Sequence, residues 1–214
     1  MNCTSASRFT LTLLIPTLAI AAGCSRPADQ IAPADKASAS QAKPRQSTCD
    51  EDNGTITLPS GFCATVFADN IGHARHLAVA PNGDVYVNTW AHKDMTGQVP
   101  PNPSGGFTVA LRDADGDGRA EKVERFGAVF QPGKVGGGTG IAVHDNALYV
   151  EVDDRIVRYA LGGDLAPKAE SQIVLSGLPS QGGHTMHPFT IASDGTMFVN
   201  SGSATNSCQV KDRT

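Results

Sequence analysis

HLAVAPNGDVYVNT, which runs from His76 to Thr89, contains an alternating apolar stretch, an Asn-Gly pair and a second stretch with an aromatic residue. Asn-Gly tolerates the positive φ angles that a tight hairpin turn requires. Alternation on either side of such a turn is typical of two antiparallel strands. The segment therefore predicts a β-hairpin.

The same pattern returns twice, as TGIAVHDNALYVEV at residues 139–152 and as PFTIASDGTMFVNS at residues 188–201. The turn residues Gly83, Asn146 and Gly195 are about 63 and 49 positions apart, and a Pro- and Gly-rich insertion at 91–106 accounts for the longer interval. A hairpin repeated every 40–50 residues or so is typical of propeller blades. We therefore expect an all-β fold of β-propeller type. A β-sandwich is the alternative, which the repeat disfavours.

Further short segments bounded by turn residues predict additional strands, and no stretch shows a sustained 3.6-residue apolar period, so helices should be few. At about 40–50 residues per blade, the ordered part has room for three to four blades. The additional predicted strands are Phe62–Ala68, Phe107–Asp113, Ala120–Phe126, Arg155–Tyr159 and Ser171–Leu175.

The N-terminal residues predict an export signal rather than part of the fold. Arg8 precedes a short apolar run that ends in Ala-Ala-Gly before Cys24, and this run is shorter than the roughly 20 residues of a membrane-spanning helix. The ending resembles the lipobox of bacterial lipoproteins, which implies lipidation of Cys24 and, because Ser25 follows, the outer membrane facing the periplasm. An ordinary cleaved signal is the alternative.

We therefore expect a signal peptide at 1–23, a disordered tether at 24–47 and a β-domain at 48–214. The tether is rich in Ala, Ser, Pro and Lys, so it has little apolar surface to offset its ordering entropy. In an oxidising compartment Cys49 and Cys63, which flank the first predicted strand, can form a disulfide. The alternative is that Cys49, Cys63 and Cys208 are all free.

Composition and motifs exclude several function classes. The net charge is −4 and no basic cluster is present, so the chain lacks the cations that a nucleic-acid backbone requires. No G-x-S-x-G and no H-E-x-x-H occurs, which leaves serine hydrolase and zinc protease activities without a motif.

A separate motif, DADGDGRAEKVE at residues 113–124, predicts a structural calcium site. Carboxylates fall at positions 1, 3, 5, 9 and 12 with Gly at position 6, which is the oxygen-ligand spacing of a calcium loop. The flanking segments read as strands, which argues against an EF-hand, and a solvated acidic turn is the alternative. The expected ligands are Asp113, Asp115, Asp117, Glu121 and Glu124.

Three stretches together resemble the quinoprotein sugar dehydrogenases, the group of soluble glucose and sorbosone dehydrogenases. They are LPSGF at 58–62 leading to ARHLAVAPNG at 74–83, LYVEVDDRIVRY at 148–159, and GLPSQGGH at 177–184 followed by ASDGTMFVNSG at 192–202. The resemblance implies a six-bladed propeller, of which this chain is the N-terminal portion. It further implies pyrroloquinoline quinone as cofactor, a sugar or related aldehyde or alcohol as substrate, and an electron acceptor in the periplasm.

The resemblance also implies residue roles. His184 corresponds to the catalytic base, with His187 less suited by its spacing to Ser201-Gly-Ser; the alternative is a structural or exposed histidine. Arg75 and His76 face the propeller tunnel, where Arg75 would contact the cofactor, and the alternative for them is a salt bridge at the top of a blade. This chain departs from the family where an Arg usually follows the base, since it reads His-Thr-Met-His-Pro at 184–188. The family's other quinone-holding cations lie mostly on later blades, outside this chain. The competing hypothesis is a non-catalytic or lactonase-like propeller that binds a ligand.

Two further features have structural or functional interpretations. Trp90 and His92 lie where a predicted strand enters the insertion, so they either line a substrate mouth or pack in the interior. The Gly-rich stretch at 136–140 lacks the Lys-Ser/Thr of a phosphate-binding loop and precedes a strand. We therefore interpret it as a tight connection between blades.

Overall fold

The computed structural model describes residues 49–94 and 96–205. The predictions for the signal at 1–23, for lipidation at Cys24, for the tether at 24–47 and for Cys208 lie outside these residues. Within them the fold is all-β, and one 3-10 turn at Asn53–Thr55 is the sole helical element. None of the helical segments described is long and apolar enough to span a bilayer.

The first hairpin pattern opens a four-stranded antiparallel sheet. Its strands are β1 (Ala74–Val79), β2 (Val85–Ala91), β3 (Gly106–Arg112) and β4 (Lys122–Val129), and they lie in chain order. The turn between β1 and β2 contains Gly83 at φ 92°, the left-handed conformation that glycine adopts without steric cost. A two-residue strand, β5 (Gly136–Gly137), pairs with the end of β2.

The second hairpin pattern opens another four-stranded meander. It comprises β6 (Ile141–His144), β7 (Ala147–Val152), β8 (Arg155–Ala160) and β9 (Gln172–Ser176). Asp145 and Asn146 between β6 and β7 both have positive φ, at 45° and 52°, as a type I′ hairpin turn requires. The third pattern forms β10 (Phe189–Ile191) and β11 (Met197–Val199). All three predicted hairpins are therefore confirmed.

The main core lies between the first and second sheets. Tyr86 of β2 and Leu148 of β7 are almost fully buried in one apolar cluster, and Phe126 of β4 meets Tyr159 of β8 edge to face at 5.1 Å. A second cluster on the other face of the first sheet consists of Val87, Val109 and Leu111, covered by Phe67, Ala68 and Ile71 of the N-terminal segment. Burial of these side chains, each worth about 1.5–3 kcal/mol, holds the layers together.

One predicted strand is wrong. Phe62–Ala68 belongs to no sheet, because its backbone groups bond elsewhere. The N–H of Val66 donates to the Asp50 carboxylate at 2.7 Å, and the carbonyl of Phe67 accepts one bond, from Ala120, at 2.8 Å. Phe67 and Ala68 pack on the first sheet, whereas Phe62 and Val66 are exposed. The other four predicted strands correspond to β3, β4, β8 and β9, with ends shifted by at most three residues.

Candidate functional site

A cavity of about 190 Å³ lies where β1 meets the segments that flank β10 and β11. A second cavity of about 220 Å³ lies nearby, and Met186 lines both. Residues from all three resembling stretches therefore line adjoining cavities. The first cavity is lined by Arg75, His76, Thr139, Met186, Pro188, Asn200 and Gly202. The residues that line the second cavity include Trp90, His92, Gly138, Glu151, Asp153 and Met186.

Arg75 reaches the first cavity from an irregular position in β1. Ala74 pairs with Thr89 and His76 with Asn88, so Arg75 is the extra residue of a bulge, a feature that redirects a side chain. Its guanidinium carbon lies 4.4 Å from the centre of the Trp90 ring, a cation–π contact worth about 0.5–1 kcal/mol at an exposed site.

Among the described residues no carboxylate lies within ion-pair distance of Arg75. The side chain is exposed, and His92 stacks on the same Trp90 ring at 4.9 Å. Arg75 thus presents an oriented cation to the cavity with its five N–H donors available to an acceptor. The structure places this predicted residue where it can contact an anionic ligand.

His184 lies on the irregular segment that precedes β10, partly buried. Its N–H donates to the carbonyl of Ser203 at 3.1 Å, and the N–H of Gly183 donates to Ala204 at 2.8 Å. A side chain at Gly202 would lie 2.1 Å from the His184 carbonyl, which explains the glycine between Ser201 and Ser203. The Gly-Gly-His and Ser-Gly-Ser motifs therefore lie side by side. His184 is not among the residues that line either cavity.

Glu151 and His187 form a buried pair. The sequence analysis did not single out Glu151, and it ranked His187 behind His184 as the base. Glu151 of β7 is 1% exposed and His187 is 0% exposed. One carboxylate oxygen, Oε1, accepts the backbone N–H of His187 at 2.8 Å and lies 3.1 Å from its Nδ1. The other, Oε2, accepts from the N–H and hydroxyl of Thr139 and from the N–H of Gly140, at 2.6–2.9 Å. The one signal for Glu151 was a charge in an otherwise apolar strand.

The Gly-rich stretch at 136–140 makes this pair possible. A Cβ atom at Gly138 would lie 2.4 Å from the Glu151 carbonyl, and one at Gly140 would lie 2.5 Å from the Phe189 ring. Only glycine permits these approaches. The stretch connects the first sheet to the second, as predicted.

The acidic loop between β3 and β4 gathers four of its five predicted ligands. Ligand atoms of Asp113, Asp115, Asp117 and Glu121 all lie within 4.8 Å of one another. Glu124 lies on β4 opposite Ala110 and is outside this group. Loop N–H groups orient the carboxylates: Gly118 donates to Asp113 at 3.0 Å and Ala114 to Glu121 at 2.7 Å. Convergent carboxylate oxygens are the ligands that calcium prefers.

The N-terminal segment is attached to this loop. Cys49 and Cys63 form a disulfide, and the adjacent Asp50 pairs with the guanidinium of Arg119, which lies within the acidic loop. The backbone N–H of Val66 and the Arg119 side chain lower the pKa of Asp50. The disulfide-closed segment is thereby held against the turn between β3 and β4.

A wider groove of about 670 Å³ runs between β4 and the outer strands of the second sheet, and it contains none of the predicted site residues. Asp153 lines both this groove and the second cavity. Burial raises the pKa of Asp153 above its ordinary value.

The chain matches no known protein-family model, no curated protein and no solved structure.

Proposed function

We propose that this chain carries part of the active face of a periplasmic, lipid-anchored quinoprotein dehydrogenase of β-propeller type. Its substrate is a sugar or a related aldehyde or alcohol, and its electrons pass to a periplasmic acceptor. The supporting observation is the convergence of the three resembling stretches on two adjoining cavities that share Met186. In this proposal the three sheets are successive blades, with β1, β6 and β10 nearest the axis.

The cavity at Arg75 suits one carboxylate of pyrroloquinoline quinone, a planar polycarboxylate. The guanidinium has no ion-pair partner among the described residues and is oriented by Trp90. Two parallel N–H···O bonds to a carboxylate are the strongest pairing that a guanidinium makes. His76 lines the same cavity beside it. When bound, the quinone supplies the hydride acceptor.

The protein must then supply a base for the proton of the substrate hydroxyl or aldehyde hydrate. We assign this role to an imidazole nitrogen of His184, because histidine is the side chain that most often serves as a general base. The backbone of His184 is fixed by its bond to Ser203, which places the ring at a defined point of the segment. Oxidation of the substrate by two electrons would also need the bound quinone, which would accept the carbon-bound hydrogen as hydride.

A second candidate is a binding or lactonase-like propeller without quinone chemistry. The observation that favours it is the position of His184, which lines neither cavity among the described residues. In that case Arg75 and Trp90 bind an anionic ligand but no oxidation follows. Activity therefore distinguishes the two functions, whereas ligand binding alone does not.

The deciding experiment is a dye-linked dehydrogenase assay of the full-length chain reconstituted with pyrroloquinoline quinone and calcium, on a panel of aldoses, ketoses and alcohols. We expect dye reduction that requires the quinone. His184→Ala should lower turnover by about 10²–10⁴-fold, the usual contribution of a general base. His144→Ala, which changes a histidine outside both cavities, serves as the control. Equal turnover in the His184→Ala and His144→Ala variants would remove His184 from the mechanism. A folded chain that reduces no dye, either with or without the quinone, would favour the second candidate.

A further inference from the structure

The Glu151 carboxylate connects three parts of the chain that are remote in sequence. Glu151 is the penultimate residue of β7, Thr139 and Gly140 directly precede β6, and His187 precedes β10. Five donor atoms surround the two oxygens: three from Thr139 and Gly140 on Oε2, and the N–H and Nδ1 of His187 on Oε1. One side chain therefore joins the second sheet to the segment that enters the third.

Three of these five donors are backbone N–H groups, which cannot reverse their role. An ionised carboxylate offers acceptors only, so it matches such a set. Burial of this charge is tolerated because the donors replace water on both oxygens. A neutral amide in the same place would present its own N–H₂ group to one set of donors.

The segment from Gly182 to Pro188 belongs to no sheet, so its position depends on separate contacts. On one side, backbone bonds tie Gly183, His184 and Met186 to residues 202–204. On the other side, His187 bonds to Glu151. Met186 and Pro188, which flank His187, line the cavity at Arg75.

We infer that Glu151 is a positioning residue: its carboxylate fixes the segment 184–188 against the second sheet and so sets the place of His184 relative to the cavity at Arg75. The importance of His184 as the base rests on the proposed function. The positioning of the segment does not, and it can be measured without any cofactor.

The test is amide hydrogen exchange in the full chain carrying Glu151→Gln, which is nearly isosteric but places an N–H₂ group among the donors. We expect exchange at His184, Thr185, Met186 and His187 to accelerate by about 10- to 100-fold, as for the loss of one to two charge-assisted hydrogen bonds. Ladder amides at Val150 and Val157, which pair in β7 and β8, should change by less than about twofold.

Thr139→Val is the matched control, because it removes one bond to Oε2 and leaves both His187 contacts in place. Exchange at 184–187 should stay close to that of the unmodified chain. Unchanged exchange at 184–187 in Glu151→Gln, or an equal acceleration throughout the second sheet, would overturn the inference.

A second pair of variants serves if Glu151→Gln does not fold. His187→Leu should accelerate exchange in the segment 184–187. His187→Asn, whose amide nitrogen can take the place of Nδ1, should return the exchange to that of the unmodified chain. Equal exchange in these two variants would also overturn the inference.

Kinetics separate this inference from the proposed function. In the quinone-loaded protein Glu151→Gln should lower kcat by roughly tenfold or more, while the Kd for the quinone stays within about twofold because Arg75 is untouched. A parallel loss of quinone affinity would indicate a general structural defect and contradict positioning. A chain without any dehydrogenase activity that still shows the local exchange response would refute the proposed function and support the role of Glu151.

Discussion

At the scale of single residues, an ion pair that the turn pattern did not predict joins the turn of the first hairpin to Arg112 at the end of β3. Asp84 is 2% exposed, and its carboxylate accepts from Nε and an Nη of Arg112 at 2.6 and 2.7 Å. Asn82 donates to the same carboxylate at 2.8 Å. The Arg112 hydrogen bonds hold the pKa of Asp84 below its ordinary value.

This pair predicts an acid-dependent contribution to stability. Because the folded-state pKa of Asp84 lies below the unfolded-state pKa of about 3.9, its contribution is fully present above that pH and is lost as the pH falls through the folded-state pKa. Asp84→Asn should lower the free energy of unfolding at pH 7 by about 1.5–3 kcal/mol. The difference from the unmodified chain should shrink as the pH falls from 5 to 2 in urea titrations.

Asp164→Asn is the control, since Asp164 pairs with Lys168 on the surface, where both side chains are more than half exposed. Such pairs contribute about 0–1 kcal/mol. An Asp84→Asn variant with the same pH dependence as the unmodified chain would contradict the assignment.

Residue pairs also mark the limit of what the sequence could predict. Arg75 was placed near a ligand surface by resemblance, but the bulge and the Trp90 contact that orient it depend on strand register. Glu151 and His187 are 36 positions apart, so no local pattern connects them. His184 was preferred on motif spacing, and the structure shows that its neighbour His187 is the buried member of the segment.

At the scale of elements, the hairpins were predictable because both alternation and turn chemistry are local. The positive φ angles of Gly83, Asp145, Asn146 and Gly195 are those that their residue types favour. The segment 62–68 was predicted wrongly for a complementary reason. A strand requires a partner of matching register, and composition does not reveal that its backbone bonds to Asp50 instead.

The acidic loop between β3 and β4 gives a prediction at this scale. Calcium binding by Asp113, Asp115, Asp117 and Glu121 should raise the melting temperature of the full chain, because a ligand that binds only the folded state stabilises it. At a calcium concentration 100 times Kd the gain is about 2.7 kcal/mol. Differential scanning calorimetry with calcium or with chelator measures it.

The paired variant Asp115→Asn with Asp117→Asn should abolish the calcium effect, whereas Glu124→Gln should retain it, because Glu124 lies outside the cluster. A melting temperature that calcium leaves unchanged would identify the loop as a solvated acidic turn.

At the scale of the whole molecule, the sequence predicted an all-β chain with a repeated hairpin, and the structure confirms it. How the sheets meet was not predictable, because the core between the first and second sheets depends on pairs such as Phe126 and Tyr159 that are distant in sequence. The first sheet exposes Leu77 and Val79 of β1, at 62% and 58%. In the proposed propeller this face lies against another blade.

The central claim, that the cavity at Arg75 binds a quinone, is tested most directly by fluorescence titration. Trp90 is the single tryptophan of the chain, lies 4.4 Å from the Arg75 guanidinium and lines the adjoining cavity, so its fluorescence reports on these two cavities. Adding pyrroloquinoline quinone to the full-length chain, corrected for absorption with free tryptophan amide, should give saturable quenching at one site. Arg75→Ala should raise Kd by about tenfold or more, as for a lost charge-assisted pair, and Arg158→Ala, outside both cavities, should not. Quenching that never saturates, or that is the same in both variants, would contradict the claim.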